Sequence, residues 1–262
     1  MSLTSLLLIN ATVVAGWLFL FWLFSIHLRN VAIVDIAWGL GFVLVAITSS
    51  LVTTGDGINR WLLPVLVGLW GFRLSTYLAW RNHGKPEDKR YRAMRDYRGL
   101  SFVYSSLWIV FGLQAVILWI ISLPVQLGIH TAGNEWHSLH FIGIIIWLIG
   151  FLFETVSDYQ LARFLGNPSS KGQVMNRGLW RYTRHPNYFG DFLIWWGLFL
   201  IAVAGTWSGT WWTMIGPLLM SYLLMRVSGV PMLEEILKTT KPDYADYVQR
   251  TNGFFPWWPK SK

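Results

Sequence analysis

The chain has 262 residues and no cysteine, carries 21 Lys and Arg against 13 Asp and Glu for a net charge of +8, and is 54% hydrophobic and only 13% charged. A soluble domain averages about 25% charged residues, so the composition excludes an ordinary soluble fold. The absence of cysteine excludes disulfides, thiolate metal sites, iron–sulfur clusters and a cysteine nucleophile.

Apolar runs that reach the roughly 20 residues needed to cross a bilayer core as helix recur along the whole length. The N-terminus, MSLTSLLLIN, has no basic leader and no small-residue cleavage site, so a retained helix is expected there and not a signal peptide. Seven spans are predicted in chain order, at 6–28, 31–53, 61–80, 101–127, 139–160, 188–204 and 210–229. The runs are continuous and lack the alternation of barrel strands, which makes the expected fold an all-α polytopic membrane protein. No internal repeat is present. The segment 232–247 after Pro231 reads as a short helix, and FFPWWP at 254–259 is an aromatic end suited to the headgroup layer.

Charge placement predicts the orientation. With the N-terminus outside and the C-terminus inside, the inner side receives Arg29, seven Lys/Arg in 81–99, five in 163–187, and Arg226, Lys238, Lys241, Arg250, Lys260 and Lys262 in the tail. Only Arg60 then falls outside and Arg73 within a span, the asymmetry of the positive-inside rule. The basic balance is therefore explained by topology, and nucleic-acid binding is not expected.

Charged groups inside spans are costly and by default face the protein interior. Asp35, Arg73, Glu154, Asp158 and Asp191 are such groups. Residues four apart share a helix face, which pairs Arg73 with Tyr77, Glu154 with Asp158 and Asn187 with Asp191. An interior ion pair that only holds helices together, Asp35 with Arg73 for example, is the competing explanation. The 163–187 loop adds Arg163, Lys171, Arg177, Arg181 and Arg184, and guanidinium groups hold phosphate through two bonds at once. The helix start near Asn187 and Tyr188 offers free N–H groups to an anion. The alternative is that these cations meet lipid headgroups. His185 precedes Pro186 and so lies in an extended turn. No second ligand stands at metal-binding spacing and no HExxH, GxGxxG or Walker loop occurs, so no metal is expected and any nucleotide must sit in a helical pocket.

The stretches NRGLWRYTRHPNYFGD and EEILKTTKPDYADYVQRTNGFFPWWP resemble the C-terminal region of the steroid 5α-reductase superfamily, in its bacterial multi-span branch, over about residues 150 to 259. VDIAWGLGF and LWGFRLSTYLAWR match the N-terminal half more loosely. The resemblance implies a seven-helix reductase of a bacterial inner membrane that binds NADPH and saturates an activated C=C bond in a hydrophobic lipid substrate. Residues 1–138 would form the substrate side and 139–262 the cofactor region. Carried across, Asp158, Arg163, Lys171, Arg181, Arg184, His185, Asn187, Tyr188, Asp191, Glu235, Tyr244 and Tyr247 would surround the cofactor. Asp35, Arg73 and Tyr77 would serve the carbonyl end of the substrate, with Tyr91 as another candidate hydroxyl. Two departures stand out: Trp70 occupies the place of the family's catalytic Tyr on span 3, and Leu165 replaces an arginine often found there, with Arg163 two positions earlier. Isoprenylcysteine carboxyl methyltransferases share the RHPxYxG tail and bind S-adenosylmethionine, which has no phosphate. A loop with five cations favours NADPH. A lipid-binding protein without activity is the third reading.

Overall fold

The structure, a computed structural model, describes residues 1–54, 56–131, 133–227 and 229–260. Lys262, one of the cations assigned above to the inner side, lies outside the described residues. Among the described residues every regular element is helical. The helices are α1 (Leu3–Leu28), α2 (Ile33–Val52), α3 (Ile58–Asn82), α4 (Lys89–Arg98), α5 (Phe102–Ser106), α6 (Leu113–Ile121), α7 (Leu123–His130), α8 (Ser138–Leu165), α9 (Pro186–Ala202), α10 (Trp207–Thr210), α11 (Ile215–Tyr222), α12 (Val230–Thr240) and α13 (Tyr244–Arg250).

Among the described residues, five stretches are long and apolar enough to cross a membrane: α1, α2, α3, the run Lys89–Ile121 and α8. The other two expected spans are shorter or broken. Helix α9 has 17 residues and is followed by a turn at Gly205, whose φ of 76° suits glycine. Residues 207–227 are divided among α10, a 3-10 turn, α11 and a π-helical turn. Residues 81–99, expected as a loop, are mostly helical, because α3 continues to Asn82 and Asp88 caps α4 by accepting the N–H of Arg90 at 2.9 Å. Pro242 separates the expected tail helix into α12 and α13.

The chain divides into two units, Met1–His137 with Ile201–Thr213, and Ser138–Leu200 with Met214–Lys262. In the first, α1 buries a single stripe, Leu6, Asn10, Val14, Leu18, Trp22 and Ser25, at the spacing of one helix face. Its other faces leave Leu8, Leu20 and Phe24 exposed, as lipid contact requires. Helix α2 is buried on most of its circumference and packs against α1, α3, α6 and α7. A buried polar network joins α1, α2 and α7: the Asn10 amide donates to Ser49 Oγ at 2.9 Å and to Gln126 Oε1 at 3.0 Å, and Gln126 donates to Ser122 Oγ at 2.8 Å. Such bonds between membrane helices contribute about 0.6–2 kcal/mol each.

Close backbone approach sets the tightest packing. A Cβ on Gly39 of α2 would lie 2.8 Å from the Gly71 carbonyl of α3, and one on Gly71 would lie 2.6 Å from that of Gly39. Ser75 Oγ closes the same seam by donating to Ile36 O at 2.8 Å. The second unit repeats the device between α8 and α9. A Cβ on Gly190 would meet Gly150 O and Glu154 N at 2.6 Å, and one on Gly197 would meet Gly143 O at 2.7 Å. Trp196 Nε1 then ties α9 to α11 through Ser221 Oγ at 3.2 Å.

Gly190→Ala is therefore expected to lower stability in mild detergent by about 1–3 kcal/mol, the cost of overpacking. Gly16→Ala, whose Cβ meets nothing within 4 Å, should leave stability unchanged or raise it by up to about 1 kcal/mol. Thermal unfolding of the two variants beside the wild type checks both signs.

Candidate functional site

In the second unit the segment RYTRHPNYFGD is fastened on two sides. Towards α8, Gly178 has φ 59° and a Cβ there would fall 2.5 Å from the Gln160 amide, so glycine is required at this turn. Gln160 Oε1 accepts the Leu179 N–H at 3.0 Å, and Trp180 Nε1 donates to Ser157 O at 3.1 Å. Towards the tail, Thr183 Oγ1 donates to Phe254 O at 2.8 Å, the Arg184 N–H donates to Asn252 O at 2.9 Å, and the Trp257 N–H donates to Tyr182 O at 2.9 Å.

Arg184 sits at the centre of this fastening. Its Nε donates to Glu234 Oε1 at 2.8 Å and its Nη2 lies 2.6 Å from the same oxygen. Its Nη1 donates to the carbonyls of Thr251 and Val248, at the end of α13 where a cation also meets the helix dipole. His185 Nε2 lies 3.4 Å from Glu234 Oε1, and the His185 ring stacks on Tyr188. Tyr247 donates its hydroxyl to Trp180 O. The hydrogen bond with His185 and the Arg184 guanidinium hold the Glu234 carboxyl down at about 2. Burial lowers the His185 imidazole against the pull of Glu234, and burial raises the Tyr244 hydroxyl to about 12.

Arg184, His185, Tyr244 and Tyr247, all expected around a cofactor, are thus gathered in one region with Glu234 as the anion. The sequence reading named Glu235, which is exposed. The signal that separates the two lies in the helix spacing, because Val230, Glu234 and Leu237 share the covered face of α12 and Pro231, Glu235 and Lys238 the exposed one.

Beside this clamp lies a cleft of about 840 Å³. Arg177, Arg181, Arg250 and Lys260 line it together with Asp243, Asp246, Tyr247 and Thr251. Arg250 pairs with Asp246, whereas no carboxylate among the described residues pairs with Arg177, Arg181 or Lys260. Arg163 and Lys171 are exposed and outside its lining. Glu154 and Asp158 are buried on α8, and Asn187 Nδ2 donates to Asp158 Oδ1 at 3.4 Å. Asp191 is half-buried one turn further along α9.

The first unit holds a separate polar cluster. Asp35 Oδ1 accepts the Tyr91 hydroxyl at 3.0 Å, and Asp35 Oδ2 lies 3.3 Å from Arg90 Nη2. Gln114 Nε2 donates to the Tyr91 oxygen at 3.4 Å. The suggested Asp35–Arg73 pair is therefore replaced, because α4 folds where a loop was expected and brings Arg90 and Tyr91 to Asp35. Glu87 secures that placement: it takes both Nε and Nη2 of Arg95, at 2.9 and 2.8 Å, and the Val31 N–H at 2.7 Å. Burial works to raise the Glu87 carboxyl, but the Arg95 and Val31 hydrogen bonds outweigh it and hold the group below the usual carboxylate range. Arg73 and Tyr77 are half-buried on α3, with the Tyr77 ring between Trp80 and the Arg81 guanidinium. Trp70 is fully buried against Phe42 and forms core.

Fold and polar clusters define an all-helical membrane protein with ionisable groups held at two places, one in each unit. The chain belongs to the family described as a protein of unknown function, DUF1295, which it matches over residues 21–251. It is similar to the uncharacterised protein C594.04c of Schizosaccharomyces pombe, 25% identical over 270 residues that cover 90% of this chain and 75% of that one. No solved structure matches it.

The clamp has a pH signature. Glu234 has a folded value of about 2 against about 4.3 unfolded, so its stabilisation is complete above the unfolded value and is lost as pH falls from there towards 2. Glu234→Gln should lower stability by about 1.5–3 kcal/mol at pH 7. The difference from wild type should shrink below about pH 4, as thermal unfolding across pH in an acid-stable detergent reads directly.

Proposed function

We propose that this protein is an NADPH-dependent reductase of an activated C=C bond in a hydrophobic, enone-like lipid. In this reading seven segments cross a plasma membrane with the N-terminus outside and the C-terminus inside, so the cleft of the second unit opens to the cytosol. The observation that carries the reading is that cleft: about 840 Å³, lined by four cations against two carboxylates, with Arg177, Arg181 and Lys260 in ion pairs with no carboxylate among the described residues. Bound-ligand sites span about 300–1,000 Å³, and cations without internal partners suit a ligand bearing phosphates. The resemblance of RYTRHPNYFGD and the tail to steroid 5α-reductases supports the same cofactor. S-adenosylmethionine, with a sulfonium, one carboxylate and no phosphate, would answer fewer of these cations.

NADPH would supply the hydride. The chain's own residues do the rest. Arg177, Arg181 and Lys260 hold phosphate oxygens, while Arg184 and Tyr247 keep the cleft wall in place. At the inner end of the first unit, Asp35 accepts from both Arg90 and the Tyr91 hydroxyl. The Tyr91 hydroxyl accepts from Gln114 and donates its one proton to Asp35; it is assigned to the substrate carbonyl, to which that proton turns from Asp35 when substrate binds. A donor there stabilises the negative charge that grows on the oxygen as hydride adds to the β-carbon.

Two measurements test the reading. A ligand at 100 times its dissociation constant stabilises the folded state by about 2.7 kcal/mol. In detergent, NADPH should raise the melting temperature of the wild type, S-adenosylmethionine should not, and Arg181→Gln should reduce the shift. A shift with S-adenosylmethionine alone would replace the reductase by a methyltransferase, and no shift with either would favour the lipid-binding alternative. Tyr91→Phe should keep the NADPH shift and lose about 10²-fold or more in turnover of a lipid enone, the scale of one acid–base or oxyanion donor. Full turnover would remove Tyr91 from the reaction.

A further inference from the structure

The end of the chain carries an exposed aromatic cluster that the function above does not use. Within 254–259, FFPWWP, Phe254 is buried, whereas Phe255, Trp257 and Trp258 are 56, 70 and 73% exposed. Exposure on this scale in a loose tail would mean little. Here the backbone is held at both ends and in the middle. Thr183 Oγ1 donates to Phe254 O, the Trp257 N–H donates to Tyr182 O, and the Lys260 N–H donates to Arg250 O at 3.0 Å. Phe254 is anchored by edge contacts with Phe189 and Phe192, at 6.2 and 5.6 Å between ring centres, and Pro256 and Pro259 stiffen the segment. The Trp258 ring meets Tyr182 edge-on at 5.5 Å. A rigid strap therefore presents three large rings outward, and a fixed exposed apolar patch marks a contact surface.

The level of the strap identifies what it contacts. Its hydrogen bonds go to Tyr182 and Thr183, four and three residues before α9 begins at Pro186. Helix α9 has 17 residues, a rise of about 25 Å, close to the roughly 30 Å of a bilayer's hydrocarbon core. In the seven-span reading proposed above α9 crosses the bilayer, and a strap tied just beyond its end then lies at the depth where water meets lipid. That depth favours rings with an apolar body and an N–H, because tryptophan satisfies both media there.

We propose that the strap 254–259 docks into the headgroup layer of the bilayer through Phe255, Trp257 and Trp258, and so fixes the depth of the RYTRHP segment it is bonded to. The inference is independent of the cofactor and of any reaction. It gives the tail a role that a freely hanging terminus lacks, since the seating of the rings in lipid is transmitted to Tyr182 and Thr183 through the strap's hydrogen bonds.

The test uses the full chain labelled with 5-fluorotryptophan in phosphatidylcholine nanodiscs. Trp257→Phe and Trp258→Phe each remove one fluorine resonance and so assign the two indoles, and the conservative ring keeps the strap folded. Phosphatidylcholine carrying a nitroxide at acyl carbon 5 should broaden both resonances at least twofold, and at least as strongly as a water-soluble gadolinium chelate does. Stronger broadening by the chelate would place the strap in water and overturn the proposal. Resonances untouched by either agent would also overturn it, because the rings would then be covered by protein, a second copy of this chain included.

Discussion

Everything in this chain rests on the lack of a hydrophobic drive between helices that already lie in lipid. Apolar side chains gain nothing by leaving hydrocarbon for one another, so association depends on close packing and on hydrogen bonds. Gly39 against Gly71, and Gly190 against Gly150, bring backbones to distances at which a single methyl group would collide. Polar side chains then finish the seams, with Ser75 on Ile36 in one unit and Trp196 on Ser221 in the other. The same logic accounts for Asn10, Ser49 and Gln126, whose amides and hydroxyl satisfy one another where no water reaches.

Once the helices are fixed, the polar segments at their ends can be fixed in turn. Gly190 and Glu154 meet at the α8–α9 seam, and the chain just before α9 carries Arg184. That guanidinium joins three parts of the second unit, the RYTRHP segment, α12 through Glu234 and the end of α13 through Val248 and Thr251. A buried charge is tolerated only when its hydrogen bonds are made, and here the donors find a carboxylate and helix-terminal carbonyls. Glu87 does the equivalent work in the first unit, where Arg95 and the Val31 N–H share its two oxygens.

How far the sequence disclosed this depends on the range of the interaction. The helices were legible because apolar length is a local property, and 6–28 corresponds closely to Leu3–Leu28. The short α9 and the segmented 207–227 were not, since hydropathy does not register the turn that Gly205 makes or the change of helical winding at Leu223–Val227. Asp35 was recognisable as an expensive residue, but its partners sit 55 and 56 positions away on a helix whose dense charge reads as loop. The pairing of Glu234 with Arg184 was not legible for a different reason. Two adjacent carboxylates look equivalent in a string, and only the phase of α12 tells them apart.

The mixture of residues in RYTRHPNYFGD follows from one division of labour. Arg181 and Arg184 stand three apart, yet the first closes a 3-10 turn and faces the cleft, while the second follows Thr183 into the clamp. Two cations of identical chemistry thus have opposite fates, one committed to the fold and one that pairs with no carboxylate among the described residues. The committed arginine needs its carboxylate and carbonyls, which is why the tail must return to the segment. The uncommitted one needs a rigid wall, which Tyr247 provides by bonding Trp180 in the same turn. A surface cation that merely satisfied topology would require no such support. Arg181 itself is exposed and lines the cleft, with its turn held by Tyr247 on Trp180 O and by Thr251 Oγ1 on Arg181 O; the fold places this cation without using it.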